Sequence, residues 1–216
     1  MNEEIVDFIS HNKVIAICRR VYGRELINLA QALHDGGVRL MEVTFDQSDP
    51  ENCKKTADAV KLLNQNFKDM MIGVGTCLTM NQLHAAKEAN AKYIISPNTN
   101  VEIIKETKRL GLVSIPGAFT PSEIVTADIA GADFVKLFPT RFAGLQYVKD
   151  IKGPLSHIKF IATAGITPDN FKDYLNLGFY GAGISSYLTS RKLLDEEDFE
   201  TLTAHAKELV DIKNSK

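Results

Sequence analysis

The feature that most constrains the fold of this chain is a regular alternation of short apolar runs with longer amphipathic stretches. Each run is followed by a turn and by enough residues for one helix. The runs cover residues 13–19, 39–45, 71–76, 93–97, 113–118, 134–139, 159–165 and 181–186. Strands that alternate with helices predict a parallel sheet, and about eight such units predict a (β/α)₈ TIM barrel. A doubly wound open sheet is the structural alternative.

Signals for helix starts support this pattern. Residues 120–123 (TPSE) combine an N-cap threonine, a proline in the first helical turn and a capping-box acid. Residues 49–50, 79–82 and 167–168 have the same character. The last predicted helix runs from Asp195 onward and places four apolar residues on one face: Phe199, Leu202, Ala206 and Leu209. With a helix ahead of the first strand, these elements predict one barrel over residues 1–216.

Composition limits the classes of protein that fit. The 216 residues are 44% hydrophobic, which suits one domain with a large core, and no linker-like segment marks a boundary. A formal net charge of −2 gives no overall field to recruit nucleic acid or an anionic membrane. The N-terminus lacks the pattern of a signal peptide, and no apolar run approaches the ~18 residues of a membrane span. We expect a cytoplasmic protein without nucleic-acid or membrane partners.

The cysteine and histidine patterns do not indicate a metal or cofactor site. The three cysteines, Cys18, Cys53 and Cys77, are odd in number and far apart, so we predict reduced residues that serve packing. The five histidines form no HExxH motif and no pair at helical ligand spacing. We therefore predict neither metal nor cofactor.

Polar residues in the predicted strands collect on one face. Successive strand residues point to opposite sides, so Leu40, Glu42 and Thr44 share a face, and Lys136 lies between two phenylalanines of the same parity. The predicted inward polar set consists of Arg19, Glu42, Thr44, Thr76, Lys136 and Thr163. Buried charges are costly unless they are paired, so this set needs an explanation.

Two explanations fit Lys136 and Glu42. One is a structural ion pair in the barrel interior. The other is catalysis, because burial lowers the pKa of a lysine from its usual value of ~10.4 and makes the amine nucleophilic toward carbonyls. A buried lysine beside a carboxylate and several hydroxyls is typical of a Schiff-base site with its own proton shuttle.

Motifs in order along the chain give a family resemblance. They are EVTF (42–45), GVGT (73–76), ISPN (95–98), SIPGAFTPSEI (114–124), GADFVKLFP (131–139) and TAGITPDNF (163–171). Taken together, they resemble the 2-keto-3-deoxy-6-phosphogluconate / 4-hydroxy-2-oxoglutarate aldolases over nearly the whole chain. The resemblance implies a homotrimeric, cofactor-independent class I aldolase that cleaves a 2-keto-4-hydroxy acid to pyruvate and an aldehyde.

The resemblance also assigns roles to residues. Lys136 matches the Schiff-base lysine and Glu42 the general acid/base, while Thr76 matches the hydroxyl that holds the pyruvate carboxylate and Thr163 lines the substrate channel. The predicted substrate-contacting residues are Arg19, Thr44, Thr76, Pro97, Phe138 and Thr163. The predicted phosphate site uses the last two strand-to-helix loops, with Ala164, Gly165, Gly183, Ile184, Ser185 and Ser186.

Departures from the family pattern leave the substrate open. Relatives carry an arginine for the pyruvate carboxylate where this chain has Asp46, and Arg19 is one candidate replacement; alternatively, Arg19 only packs or pairs with Asp46. If the missing cation limits activity, we expect Asp46→Arg to raise it. The Gly-Gly pairs of the phosphate loops are also broken, and the methyl group of Ala164 restricts φ there.

Other functions remain possible at this point. A phosphosugar isomerase or epimerase also places acids and a phosphate loop at strand ends, but it has no need of Lys136. An aldolase for a different, unphosphorylated keto-deoxy sugar acid is a further alternative. GVGTCL (73–78) weakly indicates a dinucleotide site, although Leu78 stands where the third glycine belongs. A non-catalytic barrel used for assembly is the last alternative.

Overall fold

The computed structural model describes residues 2–215 as an alternation of helices and parallel strands. The strands are β1 (Val14–Cys18), β2 (Leu40–Thr44), β3 (Met71–Gly75), β4 (Tyr93–Ile95), β5 (Val113–Ile115), β6 (Gly117–Ala118), β7 (Val135–Leu137), β8 (Phe160–Thr163) and β9 (Gly181–Ile184). The helices are α1 (Asn2–Asn12), α2 (Gly23–Asp35), α3 (Asn52–Asn66), α4 (Met80–Glu88), α5 (Val101–Arg109), α6 (Pro121–Ile129), α7 (Gly144–Lys152), α8 (Pro168–Asn176), α9 (Arg191–Asp195) and α10 (Phe199–Asn214). A 3-10 turn, Thr140–Phe142, follows β7.

The strands form a nearly closed parallel barrel in the order β5-β4-β3-β2-β1-β9-β8-β7-β6. Strands β5 and β6 are the two parts of one predicted strand, interrupted at Pro116, whose nitrogen has no hydrogen to donate. Because β5 pairs with β4 and β6 pairs with β7, the interrupted strand connects the two edges of the sheet. The barrel with its N-terminal helix is confirmed, and the doubly wound open sheet is wrong.

Two apolar clusters follow the predicted strand parity. The outer cluster lies between strands and helices and includes Ala16, Met41 and Val43. The inner cluster includes Leu40 and Phe134, which share their parity with Glu42 and Lys136. Because side chains alternate along a strand, this parity directs the two charged residues into the barrel.

Helix α1 closes one end of the barrel. Its residues Ile5, Val6 and Ile9 join the inner cluster together with strand residues near the beginnings of β1 and β2, Ile15 and Leu40. Burying a large aliphatic side chain contributes about 1.5–3 kcal/mol. The end at the strand beginnings is therefore filled by apolar packing.

The predicted helix starts are largely confirmed. Capping boxes form at Thr79 and Thr120, ahead of α4 and α6. Helix α3 begins at Asn52 instead of directly after residues 49–50, because the Asp49 carboxylate accepts from the Glu51 N–H and forms a turn first. The last long helix begins at Phe199, since the short helix α9 and the N-cap Asp198 precede it.

The cysteines and helices agree with the sequence interpretation in two further respects. Cys18, Cys53 and Cys77 are all free thiols, and burial raises the pKa of both Cys18 and Cys77 to about 12. Within residues 2–215, every helix is too short or too polar to cross a bilayer.

Candidate active site

Lys136 and Glu42 lie inside the barrel, as the strand parity predicts. Lys136 is the middle residue of β7 and is 5% exposed, and Glu42 is the middle residue of β2 and is 2% exposed. The Lys136 ammonium group lies over the ring of Phe138, with Nζ 4.7 Å from the ring centroid. The structure therefore buries both charged groups in one low-dielectric interior.

Burial shifts the two pKa values in opposite directions. Desolvation lowers the pKa of Lys136 below its usual value, a shift that Glu42 opposes and Arg19 reinforces. Desolvation raises the pKa of Glu42, and the positive charges of Lys136 and Arg19 partly offset this. A lysine that loses its proton more readily and a carboxyl group that holds its proton more tightly are suited to exchanging protons with a bound substrate.

The structural ion pair between Lys136 and Glu42 is absent. Among residues 2–215, no hydrogen bond or ion pair involves the Lys136 side chain, and the two residues interact only through their longer-range charges. Glu42 Oε2 is buried without a hydrogen-bond partner in the same part of the chain. An unpaired buried carboxylate oxygen costs free energy, so this geometry favours a functional explanation.

Gly75, the last residue of β3, makes room for the Glu42 carboxyl group. A Cβ atom at position 75 would overlap the Oε1 and Cδ atoms of Glu42. Strand β3 pairs with β2, and Gly75 stands beside Thr44 in that register. The position of the carboxylate thus depends on a neighbour that carries no side chain.

A cleft of about 590 Å³ opens at the carboxyl ends of β1, β7, β8 and β9. Most of the predicted substrate and phosphate residues line it. Its lining consists of Ile17, Arg19, Phe138, Arg141, Thr163, Ala164, Gly165, Ile166, Thr167, Gly183, Ile184, Ser185 and Ser186. The backbone turns through the left-handed region at Ala164 (φ 75°) and Gly165 (φ 92°), so the methyl group of Ala164 occupies a conformation that favours glycine.

Three predicted substrate residues lie outside that cleft. Thr44 is buried at the end of β2, and Thr76 follows β3 with a left-handed backbone (φ 57°), its carbonyl oxygen accepting from Gln47 Nε2 at 2.8 Å. Pro97 follows β4 and packs against Gly117. They stand at the ends of β2, β3 and β4, which follow β1 in the strand order on the side away from β9.

Comparison with known proteins decides the family. A sequence profile described as KDPG and KHG aldolase matches residues 5–205. The chain belongs to this family. The predicted family and enzyme class, a carbon–carbon lyase of the class I aldolase type, are thereby confirmed.

Individual relatives agree along the whole chain. A 2-dehydro-3-deoxy-phosphogluconate aldolase from Haemophilus influenzae is 28% identical over 211 residues, covering 97% of each chain. The KHG/KDPG aldolase of Escherichia coli K12 is 31% identical over 186 residues, 86% of this chain and 84% of that protein. The KDPG aldolase from Legionella pneumophila, solved with pyruvate captured as a covalent carbinolamine intermediate, has a TM-score of 0.83 at 27% identity and covers 94% of this chain and 96% of its own.

Asp46, where the sequence departs from the expected family pattern, forms an ion pair with Arg20. Arg20 Nε lies 2.7 Å from Asp46 Oδ2, and Arg20 Nη2 lies 3.1 Å from Oδ1. Ser48 also donates to the same carboxylate. The bond from Arg20 is the main reason why the pKa of Asp46 falls to about 2. The alternative in which Arg19 pairs with Asp46 is therefore wrong, because the neighbouring arginine makes that pair.

Sequence reasoning missed four residues of the cleft lining, Ile17, Arg141, Ile166 and Thr167, of which Arg141 is the charged one. It belongs to the 3-10 turn after β7, and its backbone N–H donates to the Ala164 carbonyl oxygen at 2.8 Å. No strand periodicity extends into a 3-10 turn, so parity gave no signal for this residue. Its position five residues after Lys136, close to the end of the same strand, would have been the only hint.

Proposed function

We propose that this family member is a pyruvate-forming class I aldolase that uses Lys136 as the Schiff-base residue and Glu42 as the general acid/base. The observation that carries the proposal is the burial of Lys136, unpaired within residues 2–215, below a cleft at the carboxyl ends of the strands. A desolvated amine without an ion-pair partner is available to attack a carbonyl carbon. In TIM barrels this end of the strands carries the active site.

The proposed reaction uses both groups in turn. The neutral Lys136 amine attacks C2 of a 2-keto-4-hydroxy acid, and loss of water from the carbinolamine gives a protonated imine. Glu42 takes the proton of the C4 hydroxyl group, the C3–C4 bond breaks, and its electron pair moves into the imine to form an enamine while the aldehyde leaves. A proton returned from Glu42 to C3 and hydrolysis of the imine release pyruvate and regenerate the amine.

We propose 2-keto-3-deoxy-6-phosphogluconate or 4-hydroxy-2-oxoglutarate as the substrate, in line with the names of the relatives. Arg19 is the proposed cation for the keto-acid carboxylate, because its charge acts on both Lys136 and Glu42. Thr76 remains a proposed carboxylate contact, and the loops at residues 164–165 and 183–186 remain the proposed phosphate site.

A cytoplasmic homotrimer is the proposed assembly and location. Free thiols at all three cysteines suit a reducing compartment. Phe142 is 75% exposed and Leu145 is 38% exposed on the same turn-and-helix segment after β7, which favours an apolar contact with another subunit. Light scattering of the purified protein measures the subunit number directly.

Reductive trapping tests the proposed function. Incubation with pyruvate and borohydride, followed by peptide mapping, is expected to place a reduced adduct on Lys136, and Lys136→Met is expected to abolish both the adduct and turnover. Lys152 offers a matched control, because burial also lowers its pKa and its Nζ lies 5.6 Å from two aromatic ring centroids, yet it lies outside the cleft. Lys152→Met should keep the adduct. No adduct on Lys136 in folded protein would instead favour the isomerase or epimerase.

A further inference from the structure

The charges that line the cleft are all of one sign. Its lining contains two arginines, Arg19 and Arg141, and no aspartate or glutamate, although the whole chain carries a formal net charge of −2. Within residues 2–215, no acidic side chain pairs with either guanidinium group. Two unneutralised guanidinium groups in a concave site concentrate positive potential there and attract anions.

The strand order places the two arginines on opposite sides of the last two loops. Arg141 follows β7 and Arg19 follows β1, while the strands between them, β8 and β9, end in the loops at 164–167 and 185–186. An anion held by the backbone N–H groups of these loops therefore lies between two guanidinium groups. This is the arrangement expected for a ligand with more than one negative charge.

The two arginines differ in their distance from the reacting groups. The charge of Arg19 acts on both Lys136 and Glu42, whereas the pKa values of these two residues show no contribution from Arg141. The backbone of Arg141 is held at the cleft wall, because its N–H bonds to the Ala164 carbonyl and its Cβ would lie 2.6 Å from a Cβ placed at Gly165. Arg141 thus lines the cleft on the side of β7 and β8, and its charge is farther from Lys136 and Glu42 than that of Arg19.

We propose that Arg141 binds the anionic group at the far end of the substrate and so selects keto acids that carry a second negative charge beyond the cleaved C3–C4 bond. This inference rests on the proposed aldolase function and adds a specificity-determining residue to it. A planar guanidinium group binds a phosphate or a carboxylate through two parallel hydrogen bonds, so both are candidate terminal groups.

The test compares substrates that differ only in their terminal charge. For Arg141→Gln, we expect kcat/KM to fall about 10- to 100-fold with 2-keto-3-deoxy-6-phosphogluconate, mainly through KM, and to change less than about twofold with the unphosphorylated counterpart. A parallel loss with 4-hydroxy-2-oxoglutarate identifies any terminal anion, and its absence identifies phosphate. Arg141→Lys should restore part of the activity, because it returns the charge without the planar fork.

Two controls separate this inference from the proposed function. Arg109→Gln removes an exposed arginine at the end of α5, at the opposite end of the barrel, and should leave all values unchanged. Pyruvate trapping on Lys136 should be the same in Arg141→Gln and the unaltered protein. Calorimetric titration with glycerol 3-phosphate needs no imine chemistry, and its Kd should rise about tenfold or more in Arg141→Gln. Equal losses for charged and neutral substrates, or an unchanged Kd, would overturn the proposal.

Discussion

The two ends of the barrel are filled by different kinds of side chain. At the strand beginnings, Ile5, Val6 and Ile9 of α1 complete an apolar cluster, and Ile9 has no exposed surface. At the strand ends, arginines, serines and loop glycines surround an open cleft. Lys136 and Glu42 lie between these two environments, so their pKa values are shifted by burial while the proposed route for substrate is from the polar side.

The difference between the two ends separates residues that stabilise the fold from residues of the candidate active site. The apolar end contributes to the free energy of unfolding, and none of its α1 residues lines the cleft. The buried oxygen of Glu42 and the guanidinium groups of the two cleft arginines have no hydrogen-bond or ion-pair partner within residues 2–215, which is unfavourable for stability alone. Substitutions at the apolar end should therefore change mainly the free energy of unfolding, and substitutions around the cleft should change mainly kcat or KM.

The largest difference in kcat between the two ends is expected from a substitution that adds one methyl group beside Glu42. Gly75→Ala forces the Glu42 carboxyl group out of its position, so we expect kcat to fall about 10²- to 10⁴-fold, the usual contribution of a positioned acid or base. Steady-state kinetics on folded protein measure this. Gly153→Ala is the matched control, because a Cβ there meets its nearest neighbours at 3.7 Å, an ordinary contact. Unchanged kcat in Gly75→Ala would show that Glu42 is not the acid/base.

The second prediction concerns the apolar end. Ile9→Ala leaves a cavity in the inner cluster and should lower the free energy of unfolding by about 2–5 kcal/mol. The kcat value at 25 °C should stay within about twofold, since Ile9 lies at the closed end of the barrel. Urea denaturation followed by circular dichroism gives the first quantity. A fall in kcat comparable to the loss of stability would mean that the two ends are coupled.

The third prediction uses the opposite effects of two neighbouring charges on the pKa of Lys136. Glu42 raises the pKa of Lys136 and Arg19 lowers it. Trapping requires the neutral amine, so its rate should rise with pH through the Lys136 pKa, which lies below the usual 10.5. Glu42→Gln should move this midpoint to lower pH and Arg19→Gln to higher pH, because each variant removes the charge that now acts on the Lys136 amine. Shifts of the same sign in both variants would contradict the proposed electrostatics.

Sequence periodicity predicted the buried pair but not the surface around it. Glu42 and Lys136 were identified because side chains alternate along strands, a rule that holds wherever β pairing continues. Arg141 was missed because it lies in a 3-10 turn, where that alternation ends. The alternative partner considered for Asp46, Arg19, lay one residue too early for a similar reason: β1 ends at Cys18, and the backbone turns at Arg20 (φ 56°).

The fifth predicted strand, residues 113–118, shows the same limit of sequence periodicity in the fold. The run at 113–118 was predicted as one strand, yet Pro116 divides it into β5 and β6, which pair with different neighbours. The Pro116 carbonyl accepts from the Lys136 N–H at 2.8 Å, so the interruption lies directly beside the proposed Schiff-base lysine. Apolar composition indicates where a strand runs, whereas backbone hydrogen bonds decide where it is divided.

The smallest effect is expected at Asp46. Its ion pair with Arg20 is solvent-exposed, and exposed pairs contribute little to stability. Asp46→Asn should therefore change the melting temperature only slightly and kcat/KM by less than about twofold. Thermal unfolding and steady-state kinetics at neutral pH measure both. A large rise in KM would show that Asp46 contacts the substrate.

The Arg20–Asp46 pair also sets what a cation at position 46 would meet. Introducing arginine there alone would bring two positive charges together at a distance that now holds an ion pair. The benefit expected for Asp46→Arg therefore depends on the residue at position 20, and Arg20→Asp with Asp46→Arg is the variant in which it should appear. We expect the two positions to be epistatic, so that the effect of a substitution at one depends on the residue at the other.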